Sequence, residues 1–472
     1  MTNILDAIDG VVNKISGFLY DPWVPLLLIV AGLIFTIMTK GIQIRLLGES
    51  LRVVTEKPQN EGSVSSFGAL MISTASRVGT GNIVGVSTAI CLGGPGAVFW
   101  IWLAAILGGA SAYVESTLAQ IYKHRDADGS SYGGPSYYIE SVLKMRWLGV
   151  IFSIIIIFTY AVGYNMLASY NLQSAFSGFG FYGSSTPLII GAILAVLFAL
   201  CVIGGASRLV KVTGALVPIM GIIYVLVAVL VMVLNIDKIP GVFGAIFSGA
   251  FDFEAIFGGF AGSCVMYGIK RGLYSNEAGM GSAPNAAATA DVSHPAKQGL
   301  VQMLSVFLDT LLICSATAFM CLCSGVAPTE ELSGAPYVQA SIQAVLGSFG
   351  PIFIAASMAL FAFTTLIGNY YYCEGCLRFI FKRKLSASFM TGFRLVCAVL
   401  VLLGAIISAD LAWDTADLFQ ALMVVINIPV ILIIGKPAIA ALNDYTAQRK
   451  AGEDPVFKAA SIGLKQKTDF WN

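Results

Sequence analysis

Apolar residues run through this chain in long blocks separated by short polar stretches. A helix needs about 20 mostly apolar residues to cross a bilayer. Eleven segments meet or approach that length: 23–39, 66–91, 96–122, 148–176, 187–205, 210–234, 252–290 (long and interrupted), 297–324, 350–380, 392–409 and 415–442. Ahead of them Ile4, Leu5, Ile8, Val11, Val12, Ile15, Phe18 and Leu19 form an apolar stripe at helical spacing. That stripe predicts an amphipathic helix lying in the membrane interface. The run Val24 to Met38 starts too late for a cleavable signal peptide and is followed by Lys40. The pattern predicts an all-α polytopic membrane protein.

Composition strengthens this reading. The chain is 57% hydrophobic and 11% charged, whereas a soluble domain carries about 25% charged residues. The 50 glycines fit close helix packing in lipid. Net charge is +1, which gives no footing for nucleic acid. The cysteines sit mostly in apolar runs, as Cys91, Cys201, Cys314 and Cys397 do, where a free thiol behaves as a small apolar group. Cys373-x-x-Cys376 is a single pair with metal-like spacing and no second pair, a weak signal. No cofactor or transition metal is expected.

Lys and Arg set the expected orientation through the positive-inside rule. With alternating spans, 24 of the 27 basic residues fall on one side. They include Lys40 to Lys57, Lys123 to Arg146, Arg208 and Lys211, Lys270, Arg271 and Lys297, Arg378 to Arg394, and the tail from Lys436. Lys14 and Lys238 fall on the other side, and Arg77 lies within a span. The N-terminus is expected outside and the C-terminus in the cytoplasm. The expected layout is an outer amphipathic segment 1–22, an extra helix and cytoplasmic loop 23–65, five-helix sets at 66–234 and 235–445, and a cytoplasmic tail 446–472. An odd number of helices per set inserts the two with opposite orientation, as in inverted-repeat transporters.

Both sets open with a glycine-interrupted helix. The first holds Val78-Gly79-Thr80-Gly81-Asn82-Ile83. The second holds Gly258-Gly259-Phe260-Ala261-Gly262-Ser263 and runs on to Ser275-Asn276-Glu277-Ala278-Gly279-Met280-Gly281-Ser282. Each glycine weakens a helix by about 1 kcal/mol relative to alanine. Such glycines serve either close packing or an unwound break. A break inside the membrane is tolerated where it lines a cavity, and its free backbone groups suit a carboxylate and a cation. Thr364 and Thr365 lie mid-span in Phe363-Thr364-Thr365-Leu366. Their hydroxyls either bond back to the preceding turn or serve as cation ligands.

Several motifs then carry a resemblance. Gly93-Gly94-Pro95-Gly96-Ala97-Val98-Phe99-Trp100-Ile101-Trp102-Leu103, Gly79-Thr80-Gly81-Asn82, Gly133-Gly134-Pro135 and Arg271-Gly272-Leu273-Tyr274-Ser275-Asn276-Glu277-Ala278-Gly279 resemble, in order, those of the alanine/glycine:cation symporter family, over roughly residues 23 to 445. The resemblance implies a leucine-transporter-like fold with an extra helix ahead of a ten-helix core. It implies sodium- or proton-driven uptake of alanine or glycine across a prokaryotic plasma membrane. It puts Thr80, Gly81 and Asn82 at the substrate carboxylate and Phe260, Ala261, Gly262 and Ser263 on the other side. It maps a sodium site to the backbone of Ala75 and Val78 with Thr364 and Thr365. Ala168 stands where the family commonly has a Gln near the substrate, with Tyr170, Asn171 and Gln173 as candidate substitutes, and Cys264-Val265-Met266-Tyr267 replaces an Ala-Ile-Arg run. The substrate pocket is expected to be remodelled.

Charged groups inside spans are costly and mark function by default. Arg77 precedes the first break and is expected to pair with Glu115 or Glu277, or else to support the unwound backbone, bind an anionic group or gate. Glu277 is a candidate inner-gate clamp, and Asp309 is a mid-span carboxylate suited to a proton, a cation or a structural role. His124 and His294 lie at loop edges and receive no role. The leading expectation is a sodium-coupled symporter of a small neutral amino acid. The alternative is a carrier of the same fold that is proton-coupled or takes another solute such as glutamine. An enzyme lacks support, since no Gly-x-Ser-x-Gly, P-loop or His/Asp metal cluster occurs. A channel would call for a charge ring repeated by oligomer symmetry.

Overall fold

The structure, a computed structural model, describes residues 2–126, 129–252, 259, 263–383, 385–464 and 466–471. Two helices lead the chain, α1 (Thr2–Tyr20) and α2 (Trp23–Met38). The first set follows as α3 (Ser66–Arg77), α4 (Val86–Gly93), α5 (Ala97–Ile121), α6 (Arg146–Ile157), α7 (Asn165–Ser174), α8 (Thr186–Val202) and α9 (Ala206–Leu234). A short helix α10 (Ile239–Ala250) leads to the second set: α11 (Cys264–Asn276), α12 (Pro295–Phe307), α13 (Ser315–Leu322), α14 (Ala335–Leu346), α15 (Phe349–Phe381), α16 (Ala387–Gly404) and α17 (Ala409–Ile434). Helix α18 (Lys436–Lys450) begins the tail. π-Helical turns join α6 to α7 (Phe158–Tyr164) and α12 to α13 (Leu308–Cys314), making one long helix of each pair.

Among the described residues, eight helical stretches are long and apolar enough to cross a membrane, and Gly81–Gly93 and Thr186–Val202 are shorter apolar helices. With α11 these fall on the eleven segments expected from sequence. The last segment is displaced: α17 starts at Ala409, where Ser408 Oγ accepts from Leu411 N, and stops before Lys436-Pro437. Between Val217 and Leu234 the exposed side chains of α9, among them Ile219, Ile222, Ile223, Leu226, Leu230 and Val233, are apolar, as a lipid-facing surface requires.

The loops rich in Lys and Arg meet at one end. Lys297 binds Glu56 at 2.7 Å and Asp454 at 3.1 Å, Arg378 binds Asp126 at 2.6 Å, and Trp471 Nε1 donates to the Gln120 carbonyl at 2.8 Å. A vestibule of about 1140 Å³ opens at this end, lined in part by the charged residues Lys123, Arg125, Asp126, Asp291, Glu374 and Arg378. At the opposite end Gln339 Nε2 donates to the Ala175 carbonyl at 2.7 Å and Lys238 Nζ to the Cys323 carbonyl at 3.1 Å.

Lys270 and Arg271 do not follow the other basic residues. They bind Asp417, eight residues into α17 and on the side away from the basic end. A cation neutralised by a buried carboxylate no longer reports which side of the membrane it faces, so the expected inner position of these two is corrected.

Candidate functional site

The first break forms as its sequence requires. Helix α3 is capped by Ser65, whose Oγ accepts from Gly68 N at 3.0 Å, and it ends at Arg77. Val78 then leaves helical geometry at ψ 88°. The Asn82 side chain bridges the gap. Its Oδ1 accepts from Gly79 N at 2.8 Å, which satisfies a donor that unwinding would otherwise orphan. Its Nδ2 donates to Asp309 Oδ1 at 2.7 Å. Asn82 is therefore committed to holding the break to the helix that carries Asp309.

The second break lies at Glu277–Gly281. Helix α11 is capped by Ser263 and ends where Glu277 takes φ 54°, followed by Gly279 at φ 84° and Gly281 at φ 83°. Left-handed backbone costs a non-glycine residue roughly 1–2 kcal/mol. The Glu277 carboxylate is held from both sides: Ser76 Oγ donates to Oε1 at 2.8 Å and Ser282 Oγ to Oε2 at 2.7 Å. The first of these bonds ties the two breaks directly together.

Helix α11 runs antiparallel to α4. A Cβ at Gly93 would touch Cys264 and Tyr267, and one at Gly81 would touch Tyr274. The Gly79–Asn82 break therefore faces Tyr274–Glu277. Ser263 lies at the far end of α11, about 18 Å along the axis from Ser275 at 1.5 Å per residue. The structure does not bring Ser263 to the first break, and Phe260, Ala261 and Gly262 lie outside the described residues. Thr80 Oγ1 accepts from Asn171 Nδ2 at 3.2 Å and lies 3.5 Å from Tyr274 OH. Ala168 is buried one turn earlier on α7. Of the three candidate substitutes Asn171 reaches the break, while Gln173 accepts from Tyr182 OH instead.

Helix α15 closes the other side. A Cβ at Gly79 would collide with Thr365 Oγ1, and one at Gly368 would meet the Ser76 backbone. Thr365 Oγ1 is buried and has no hydrogen-bond partner. Thr364 Oγ1 bonds back to the Leu360 and Phe361 carbonyls at 3.0 and 3.2 Å. Two adjacent threonines thus differ: one is spent on its own helix, and the other presents an unsatisfied oxygen at the break, beside the turn that follows the buried Ala75 and Val78.

Arg77 is 1% exposed. Its Nη1 lies 3.3 Å from the Gln302 carbonyl, while Nε and Nη2 have no partner. No ion pair joins it to Glu115 or Glu277, contrary to expectation. Both carboxylates are instead held by neutral donors. Glu115 takes Gly279 N at 3.4 Å, Gly281 N at 3.1 Å and Asn427 Nδ2 at 2.8 Å. Asp309 is held by Asn82, and by Ser275 and Thr310 at 2.7 and 2.9 Å. It therefore connects the first break to α11.

A second buried charge cluster was not singled out in the sequence. Asp417 is fully buried, with Arg271 bidentate at 3.1 and 3.2 Å and Lys270 at 2.8 Å. The Arg271 guanidinium lies 3.9 Å over Trp413. Asp417 carries the signal that marked Arg77, a charge inside an apolar segment. Cys373 and Cys376 are free, buried thiols on α15.

The family model for the sodium:alanine symporter family matches residues 5–459. The chain is 44% identical to the amino-acid carrier protein AlsT of Bacillus subtilis, covering 98% of this chain and 97% of that one. It is 43% identical to the probable sodium/glutamine symporter GlnT of the same organism, covering 97% and 94%. The crystal structure of MhsT in complex with L-phenylalanine superimposes with a TM-score of 0.52 at 16% identity, over 81% of this chain and 96% of that one, a likeness of fold. Helix breaks tied at Ser76–Glu277, a helical membrane fold like that of MhsT, and a family match over residues 5–459 place this multi-pass membrane transporter in the sodium:alanine symporter family.

Proposed function

We propose that the protein carries a small neutral amino acid into the cell together with Na+, across the plasma membrane of a prokaryote, with the N-terminus outside. Family membership carries the coarse reading, sodium-coupled amino acid symport. The observation that supports the ion site is the unpartnered Thr365 hydroxyl against the Gly79 backbone. Sodium favours hard oxygen ligands, and the Ala75 and Val78 carbonyls with Thr365 offer that set, while Thr364, bonded back to Leu360 and Phe361, is the weaker candidate. The substrate carboxylate is proposed to bind beside Thr80 and Gly81, flanked by Asn171 and Tyr274.

Alternating access has two ends to work on. The Arg271–Asp417 seam closes the side away from the basic end, and the vestibule opens the basic end. Asn171 Oδ1 is buried without a partner, so the pocket keeps one acceptor for a substrate N–H. That acceptor suits the ammonium of alanine or glycine, and it equally suits the amide of glutamine, which the likeness to GlnT keeps as the second reading. A panel of alanine, glycine and glutamine, each titrated with and without Na+ while the thermal midpoint is followed, tests both. Sodium-dependent stabilisation by alanine or glycine supports the proposal, stabilisation by glutamine alone selects the second reading, and stabilisation by none overturns both.

A further inference from the structure

The amphipathic helix α1 does more than precede the core. Tyr20 closes α1 and is buried. Its hydroxyl oxygen accepts from Gln420 Nε2 on α17, and the Lys270 ammonium lies 4.9 Å over its ring. Gln420 Oε1 accepts from Tyr164 OH at 2.6 Å. The Tyr164 ring meets Tyr274 edge-on at 4.8 Å, and Tyr274 OH is the group 3.5 Å from Thr80 Oγ1. Asn13 adds a bond to Asp414 Oδ2 at 2.7 Å. One helix outside the inverted repeat thus holds α17 at Asp414 and Gln420, on either side of the Asp417 that α11 binds.

We infer that Tyr20 is a positioning residue of the transport cycle: through Gln420 and Lys270, α1 latches α17 onto α11 and favours the state in which the Arg271–Asp417 seam is closed. The seam must part for substrate to reach the breaks from that side. Latch and seam share α17, so any parting stretches the Tyr20–Gln420 bond as well. Phenylalanine at position 20 keeps the ring under Lys270 and removes the oxygen. Loss of one neutral hydrogen bond made only in the closed state raises the open population about five-fold. Where the open state is the minor one, apparent affinity from that side rises by the same factor. The inference rests on the transport reading for its kinetic arm alone.

The test is made on the full chain carrying Cys91→Ala, since the other native cysteines are buried. Nitroxides at the exposed positions Ser248 and Asp410 report the width of the seam. Ser248 lies on α10, whose Gly249 meets Cys264 at the start of α11, and Asp410 lies at the start of α17. Tyr20→Phe is expected to move population toward the longer distance, and Asn13→Ala, at an exposed position, to do so more weakly. In proteoliposomes Tyr20→Phe is expected to lower the half-saturating alanine concentration about five-fold. A role in folding alone would lower the maximal rate and leave that concentration unchanged. A distance distribution identical to that of the parent in both variants overturns the inference. The distance arm needs no substrate, so it decides the latch even if alanine proves not to be carried.

Discussion

Replacing Thr365 by valine removes one oxygen and keeps the shape of the side chain. This hydroxyl is buried against Gly79 and has no protein hydrogen-bond partner. A buried polar group without a partner costs about 1–3 kcal/mol, and an apolar group of the same shape avoids that cost. Thr365→Val should therefore raise the Na+-free thermal midpoint, by the equivalent of about 1 kcal/mol. With Na+ bound the sign reverses. Contacts to a charged partner contribute about 1.5–3 kcal/mol, and each 1.4 kcal/mol is a factor of ten, so the half-saturating Na+ concentration should rise about 10- to 100-fold. Thr364→Val is the internal control. Its hydroxyl is engaged by Leu360 and Phe361 of its own helix, and the shift should be several-fold smaller. The assay is a Na+ titration of the thermal midpoint in detergent, paired with initial uptake rates at varied Na+. An unchanged Na+ half-saturation in Thr365→Val, or a lower Na+-free midpoint, would refute the reasoning.

Three further outcomes follow from the packing. Asp417→Asn leaves the Arg271 guanidinium buried without its counter-charge; breaking a buried pair costs about 3–5 kcal/mol, so the thermal midpoint should fall by several degrees and uptake should drop. Gly79→Ala drives a methyl into Thr365 Oγ1, an overpacking that costs about 1–3 kcal/mol and should abolish uptake, while adding Thr365→Ala should restore the thermal midpoint but not Na+ dependence. His294, at the basic end outside the spans, is held down to about 4 by burial, against the opposing pull of Asp444. Unfolded, it protonates near 6.5, so its contribution is complete above that pH and is lost as pH falls from 6.5 toward 4. The midpoint should fall over that window, and His294→Gln should flatten the slope.

The membrane spans were legible because lipid imposes length and apolarity together. Helices α10 and α14 were not, since 12 residues each satisfy neither the length of a span nor the polarity of a loop. The first break could be read from Gly79-Thr80-Gly81, where two glycines flank a hydroxyl mid-span. The second was ambiguous because Gly258–Ser263 and Gly279–Gly281 carry the same glycine signal. The described residues show a break at Glu277–Gly281, while Gly258 and Phe260–Gly262 lie outside them, and sequence spacing holds no register between helices. The difference between Thr364 and Thr365 is likewise a matter of side-chain direction. The expected Arg77 pair is not formed: Ser76, Ser282 and the Gly279–Gly281 amides hold the carboxylates, and nothing in their spacing announces it.

The central claim is that a Na+ gradient drives amino acid entry through the paired breaks. The most direct measurement is alanine uptake into proteoliposomes with an imposed inward Na+ gradient. The account predicts accumulation that collapses when the gradient is dissipated and is reduced to background when K+ or choline replaces Na+. Uptake of equal rate and extent in K+ or choline would contradict it.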